Sequence, residues 1–145
     1  MVRGLFAIWP NYCRVWQVFL RQLEGTGVKR ITRGSVGITQ GSRVLFSDFA
    51  DGGVMWTGHG PRERRHGVVF EQAFLAPPTV LVAISMWDLD QQTNARADIS
   101  SENVTTTGFD LVFKTWGDTR VARIRADWTA IGPLEPEDDE GWQLY

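Results

Sequence analysis

Asn94, Arg96, Asp98 and Ser100 stand two residues apart. On an extended strand that spacing puts all four on one face, with Ala97 and Ile99 on the other. Such a row suits recognition of a polyol. Vicinal hydroxyls offer a donor and an acceptor together, and amide, guanidinium and carboxylate groups match them with paired, charge-assisted hydrogen bonds. The same row also suits a plain exposed sheet face, or a subunit seam in which Arg96 pairs with Asp98, Asp127 or a neighbouring chain. Trp116 is the second candidate. It falls on the polar face of its strand just before Gly117-Asp118-Thr119. A ring there can pack on the C–H groups of a pyranose, or it can lie beneath an N-terminal helix or a neighbouring subunit. Asp118 and Arg120 would sit at the rim of that pocket.

Catalytic patterns find little support. His59 and His66 lie in what reads as a Gly/Arg-rich loop, without the spacing of a zinc site. Cys13 has no nearby histidine to activate it as a nucleophile. Asp88, Asp90 and Asn94 faintly resemble a calcium loop, but the glycine and the closing glutamate are missing. Asp48, Asp51, Asp88 and Asp90 could supply a glycosidase pair, yet nothing in their spacing fixes a separation. The residues point to a non-enzymatic, cofactor-free binding protein.

The elements that must position these residues follow from period. From about Ser35 onward the chain reads as short strands separated by Gly, Pro and Asn turns, the pattern of an antiparallel β-sandwich. Val36 to Phe49 is a long strand or a strand pair turning at Gly41-Ser42. Asp51-Gly52-Gly53 and Thr57 to Pro61 are loops, and Val68 to Phe74 is a short strand ended by Pro77-Pro78. Thr79 to Trp87 is apolar on both faces, as a strand in the middle of a sandwich would be. Two alternating strands close the domain. Phe109, Leu111 and Phe113 face inward, and Asp110, Val112, Lys114 and Trp116 outward. Then Ala122, Ile124, Ala126, Trp128 and Ala130 face inward, and Arg123, Arg125, Asp127 and Thr129 outward.

Before the sandwich, Tyr12, Val15, Trp16, Phe19, Leu20 and Leu23 recur at helical spacing. They predict an amphipathic helix over about 10–24, opened by Pro10 and capped by Gly25. Its apolar face suits packing on the domain or on an oligomeric neighbour better than membrane attachment. The resulting division is a helical extension over 1–33, a sandwich over 34–133 and an acidic tail over 134–145.

Size and composition agree with one globular domain: 145 residues, 43% hydrophobic and 22% charged, with seven tryptophans that exceed what a core of this size requires. The net charge of −2 becomes +3 once the five acids of the tail (Glu135, Glu137, Asp138, Asp139 and Glu140) are set aside. Arg30, Arg33, Arg62, Arg64 and Arg65 make too small a basic cluster for a nucleic-acid footprint, so no nucleic-acid partner is expected. A single cysteine forms no internal disulfide. No run approaches the ~18 apolar residues of a membrane span. The start is a poor signal peptide, so synthesis in the cytoplasm is the expectation, with action at a surface left open and localisation undetermined. Asn103-Val104-Thr105 fits a glycosylation sequon, with no secretion signal to bring it into use.

An extended pattern runs through this region. It comprises Phe70-x3-Phe74, Pro77-Pro78, Asp88, Asn94-x-Arg96, Val104, Thr107-Gly108-Phe109, Trp116, Thr119 and Trp128-x2-Ile131. In order and spacing it resembles the H-type lectin domain, the family of the discoidins and of snail agglutinins that bind N-acetylgalactosamine, and most nearly the bacterial versions. The resemblance covers about residues 38–132. It implies a six-stranded antiparallel β-sandwich assembling as trimers or hexamers, with sugar sites at the clefts between subunits. Family positions that contact sugar match Arg96 and Trp116, with Asn94 in the same motif. The family's stacking aromatic after that tryptophan is Gly117 here, and a second aromatic contact falls at Ala122. The acid that reads sugar hydroxyls lies, in the family, in the loop after the tryptophan matched by Trp56, where this chain offers Glu63. Where some members have a disulfide cysteine, this chain has Phe113. The ligand implied is a glycan, either of N-acetylgalactosamine or galactose type or a bacterial polysaccharide. The rival expectation is a structural or attachment module that uses the scaffold for protein contacts.

Overall fold

The structure, a computed structural model, describes residues 28–31 and 35–135. The amphipathic segment at 10–24, Cys13 and the tail beyond Glu135 lie outside the described residues. Six strands and one helical turn follow in the order β1 (Ser35–Ser47), α1 (Val54–Thr57), β2 (Arg62–Val69), β3 (Thr79–Leu89), β4 (Asp98–Glu102), β5 (Gly108–Thr115) and β6 (Val121–Leu134). They form two three-stranded antiparallel sheets, ordered β1-β6-β3 and β2-β5-β4. This is the antiparallel sandwich that the alternation of the sequence implies, with the six strands that the family resemblance implies. No helix among the described residues is long and apolar enough to cross a membrane.

The core lies between the sheets because β5 and β6, the central strands, each turn one face inward. Phe109, Leu111 and Phe113 from β5 meet Ile124, Ala126 and Ala130 from β6, all buried. Phe70 packs edge-on to Phe74 with centroids 5.1 Å apart, and Phe109 stands edge-on to Trp128 at 5.5 Å. Such contacts hold one half of the core; Phe46 and Met55, packed with Phe113, Val121 and Ile124, hold the other.

Three local expectations give way to the packing. Gly41-Ser42 is no turn: β1 is one strand, and Gly41 lies opposite Trp128, where a Cβ would stand 2.7 Å from the indole. Glycine there makes room for the ring. The short strand is displaced, because β2 covers Arg62 to Val69 while Phe70 to Pro78 is irregular. Phe70 and Phe74 fill the core from that loop, their amides held by the carbonyls of Thr107 and Thr106. Finally, β3 is an edge strand. Val80 and Val82 pack inward, while Leu81 stands 59% exposed on the outer face.

Alternation along β2 also disperses the arginines. Arg62 and Arg64 turn inward, Arg64 reaching Asp48 at 3.4 Å, and Arg65 turns outward onto Glu63, Glu102 and Asp110. With Lys114 bonded to Glu102 at 2.7 Å, these groups form an ionic lattice over Val112, which is wholly buried although it lies on the outer face. Its members reinforce one another: Lys114 and then Arg65 hold the Glu102 carboxyl below its usual range, and Asn103 and then Arg65 do the same for Asp110.

The antiparallel order collects three connections at one end of the sandwich: residues 48–61, 90–97 and 116–120. The candidate site residues all fall there.

Candidate functional site

Two threonines fix the site. Thr115 and Thr119, buried at the end of β5 and in the turn beyond it, donate their hydroxyls to the carbonyls of Arg96 and Asn94, each at 2.6 Å. The Arg120 amide donates to Thr93 Oγ1 at 3.3 Å and the Asp90 amide to the Arg120 carbonyl at 3.1 Å. Segment 90–97 is thereby clipped along 115–120. With its carbonyls held from one side, Asn94 and Arg96 direct their side chains to Asp118.

There the carboxylate receives both. Arg96 Nη1 donates to Asp118 Oδ1, and Asn94 Nδ2 to Asp118 Oδ2 at 3.3 Å. The Arg96 guanidinium holds the Asp118 carboxyl below the usual carboxylate range, so the pair is ionic at neutral pH. Gly117 has φ +67°, and a Cβ at this position would stand 3.1 Å from Arg96 Nη1. The guanidinium thus lies against the turn where a side chain at 117 would begin. Trp116, outward-facing at the end of β5, is 42% exposed beside it.

Three of the five expected site residues therefore converge, Asn94, Arg96 and Asp118 in one hydrogen-bonded group; Trp116 precedes Gly117 in the same turn, 42% exposed. Arg120 is in the same turn but faces Asp90 at 3.9 Å. The strand reading of Asn94 to Ser100 holds only from Asp98; Asn94 and Arg96 precede β4 in a clipped loop. Arg96 pairs with Asp118, and not with Asp98 or Asp127. Asp127 lies instead on the outer face of β1-β6-β3, where Ser42 and Ser85 donate to its Oδ1 at 2.5 and 2.7 Å. Glu63 is in β2 within the ionic lattice, outside the loop after Trp56. Trp56 packs edge-on to Phe49 at 4.9 Å.

Sequence reasoning missed the groups that brace this end. Asp48 accepts from the Met55 amide at 2.9 Å and so starts α1. Arg62 is buried among carbonyls of both rims. A threonine on each side of Trp116-Gly117-Asp118, at core-facing parity, was the readable sign of the two clips. What the arrangement can do is present a guanidinium, an amide and a carboxylate together at an edge of the sandwich, in the turn that also carries the exposed Trp116. It offers no paired nucleophile and base, and among the described residues no three His, Cys, Asp or Glu side chains are grouped to hold a metal ion.

Known proteins resemble this chain over the sandwich. Residues 65–131 match the H-type lectin domain. The chain is 62% identical over 110 residues to the protein called ATP synthase subunits region ORF 7 of Fuscovulum blasticum, covering 76% of this chain and 94% of that one. It is 39% identical over 75 residues to discoidin-1 of Dictyostelium discoideum, covering 51% of this chain and 30% of that one. The solved structure of recombinant discoidin II from the same organism superposes with a TM-score of 0.60 at 28% identity, covering 71% of this chain and 40% of the other. The chain thus spans well under half the length of these discoidins. With this sandwich and these relatives, it belongs to the H-type lectin domain family.

Proposed function

We propose that this protein is a multivalent carbohydrate-binding module without catalytic activity, reading glycans with the group at the clipped end of the sandwich. Arg96 and Asn94 hydrogen-bond sugar hydroxyls, Asp118 accepts from them while holding the guanidinium, and Trp116 walls the pocket against the C–H face of the ring. Arg120 is a rim residue. The observation that carries this reading is the convergence of Asn94 and Arg96 on Asp118 beside a half-exposed tryptophan. Each site is small and wet, so a single site binds weakly and avidity comes from several sites on one rigid assembly.

Trimerisation, or a hexamer of two trimers, supplies those copies. The outer face of β1-β6-β3 supports such an assembly. Val36, Ile38 and Leu81 are each more than half exposed there, and Ile38 lies opposite Ile131. An apolar strip of this kind is characteristic of a buried seam. The test is a screen of purified, size-characterised protein on a broad glycan array that includes N-acetylgalactosamine, galactose and bacterial polysaccharides. Binding to a coherent set sustains the proposal; silence from a well-folded oligomer refutes it. The same apolar strip favours a second reading, a structural or attachment module whose contacts are with protein, and that silence is the result it expects.

A further inference from the structure

Arg62 is buried to 8% exposure with no carboxylate in salt-bridge range among the described residues. An unpaired buried cation is costly unless dipoles replace its hydration. Here backbone carbonyls do so, from two separate segments. Nε donates to Gly60 O at 3.0 Å, and Nη1 to Gly58 O at 2.9 Å and Met55 O at 3.2 Å. Nη2 crosses to the other rim, reaching Thr119 O at 2.7 Å and Gly117 O at 3.4 Å. Gly60 seals the same junction, its amide donating to Gly117 O at 2.9 Å. Desolvation lowers the Arg62 pKa, as burial of a cation must, yet the planar fork stays charged and, with Val54 O at 3.5 Å, meets six carbonyls at once.

The carbonyls it holds frame the site. Gly117 is the residue against which Arg96 lies, and Thr119 is the clip for Asn94. Met55 to Gly60 is the loop that carries Trp56, paired with the 62% exposed Phe49. We infer that Arg62 is a positioning residue of the sugar site: its guanidinium ties the 55–60 loop to the 117–119 turn and thereby sets where Arg96, Asp118 and Trp116 stand. This rests on the carbohydrate-binding reading, and it adds a determinant that precedes the matched family region. Lysine cannot replace it, because an ammonium has one centre and cannot reach both rims in a fixed fork.

The test compares wild type with Arg62→Lys and Arg62→Met. It measures amide hydrogen exchange residue by residue, and affinity for a surface bearing N-acetylgalactosamine-conjugated albumin. The expected result is faster exchange at Gly60 and across 117–120 in both variants, unchanged protection in β5 at Leu111 and Phe113, and affinity reduced about tenfold in Arg62→Lys, a loss on the scale of one well-made hydrogen bond to a charged group. Wild-type protection at Gly60 and 117–120 would overturn the inference. So would faster exchange throughout β5 and β6, failure of both variants to fold, or loosened rims with undiminished affinity. If Arg62→Met alone fails to fold, Arg62→Lys decides. A wild type that ignores the albumin surface speaks against an N-acetylgalactosamine ligand, while the exchange comparison still decides whether Arg62 ties the rims.

Discussion

Replacing the two clipping threonines by valine separates the geometry of the site from its chemistry, since neither hydroxyl meets a ligand. Both side chains are buried, and each hydroxyl donates at 2.6 Å to a carbonyl of the 90–97 segment. A net intramolecular hydrogen bond contributes about 1 kcal/mol, and an acceptor left dry would add more. Both bonds are part-buried, which sets the cost nearer the net value of the bond than that of a dry acceptor. Thr115→Val and Thr119→Val should each cost about 1 kcal/mol, and the double variant at most about 2 kcal/mol, because both clips hold one segment and their losses overlap. For a domain of this size that is a fall of roughly 10 °C in Tm. Urea unfolding followed by circular dichroism reads the stability, and a glycan-binding isotherm on the same samples reads the site. Affinity should fall further than the stability change requires, because Asn94 and Arg96 lose their fixed aim. A double variant with the wild-type midpoint would refute the energetic argument; one that is destabilised yet binds with wild-type affinity would refute the positioning argument.

Other outcomes follow from the same geometry. Gly117→Ala should cost about 1–2 kcal/mol for a side chain in left-handed backbone and should weaken glycan binding by crowding Arg96; an unchanged melting temperature would contradict it. Asp118 titrates below the usual carboxylate range, so its support for Arg96 is present above the unfolded value of about 3.9 and is lost as pH falls through the lower folded value. Glycan affinity followed downward in pH should therefore hold to about pH 4, and earlier loss would count against the pair. Burial, and then Arg43, depresses His66, so the unfolded chain takes up its proton first and stability falls as pH drops below about 6.5. His66→Gln should flatten that slope, and melting curves of identical pH dependence would exclude the effect. Ile38→Glu with Leu81→Glu should dissociate the proposed oligomer without unfolding the sandwich; light scattering that still reports the wild-type mass would contradict a seam on this face.

The sandwich was legible because β5 and β6 alternate without interruption, and a central strand with one dry face leaves its period in the sequence. The inward sets at Phe109, Leu111 and Phe113 and at Ile124, Ala126 and Ala130 needed no tertiary knowledge. The errors came where a distant residue decides local form. Gly41 reads as a turn until Trp128 is placed over it. Arg62 to His66 reads as a polar loop because consecutive charged and imidazole side chains hide a strand whose inward Arg62 is held by carbonyls and whose Arg64 reaches Asp48. Phe70 to Phe74 reads as strand because loop residues that fill a core look like strand residues. The candidate site is legible only in part: residue type singles out Asn94, Arg96 and Trp116, but strand parity does not apply to Asn94 and Arg96, which precede β4. The meeting of Asn94 and Arg96 at Asp118 depends on clips made by hydroxyls to backbone, which leave no periodic trace.

The central claim is that Arg96 binds sugar and does not merely support the fold. The most direct measurement is the affinity of Arg96→Ala for the glycan that wild type selects from the array, with oligomeric mass and melting temperature recorded on the same samples. The account predicts that binding disappears while the assembly and its melting temperature stay close to wild type. Retained binding, or loss of binding together with loss of the assembly, would contradict it and make Arg96 a structural partner of Asp118.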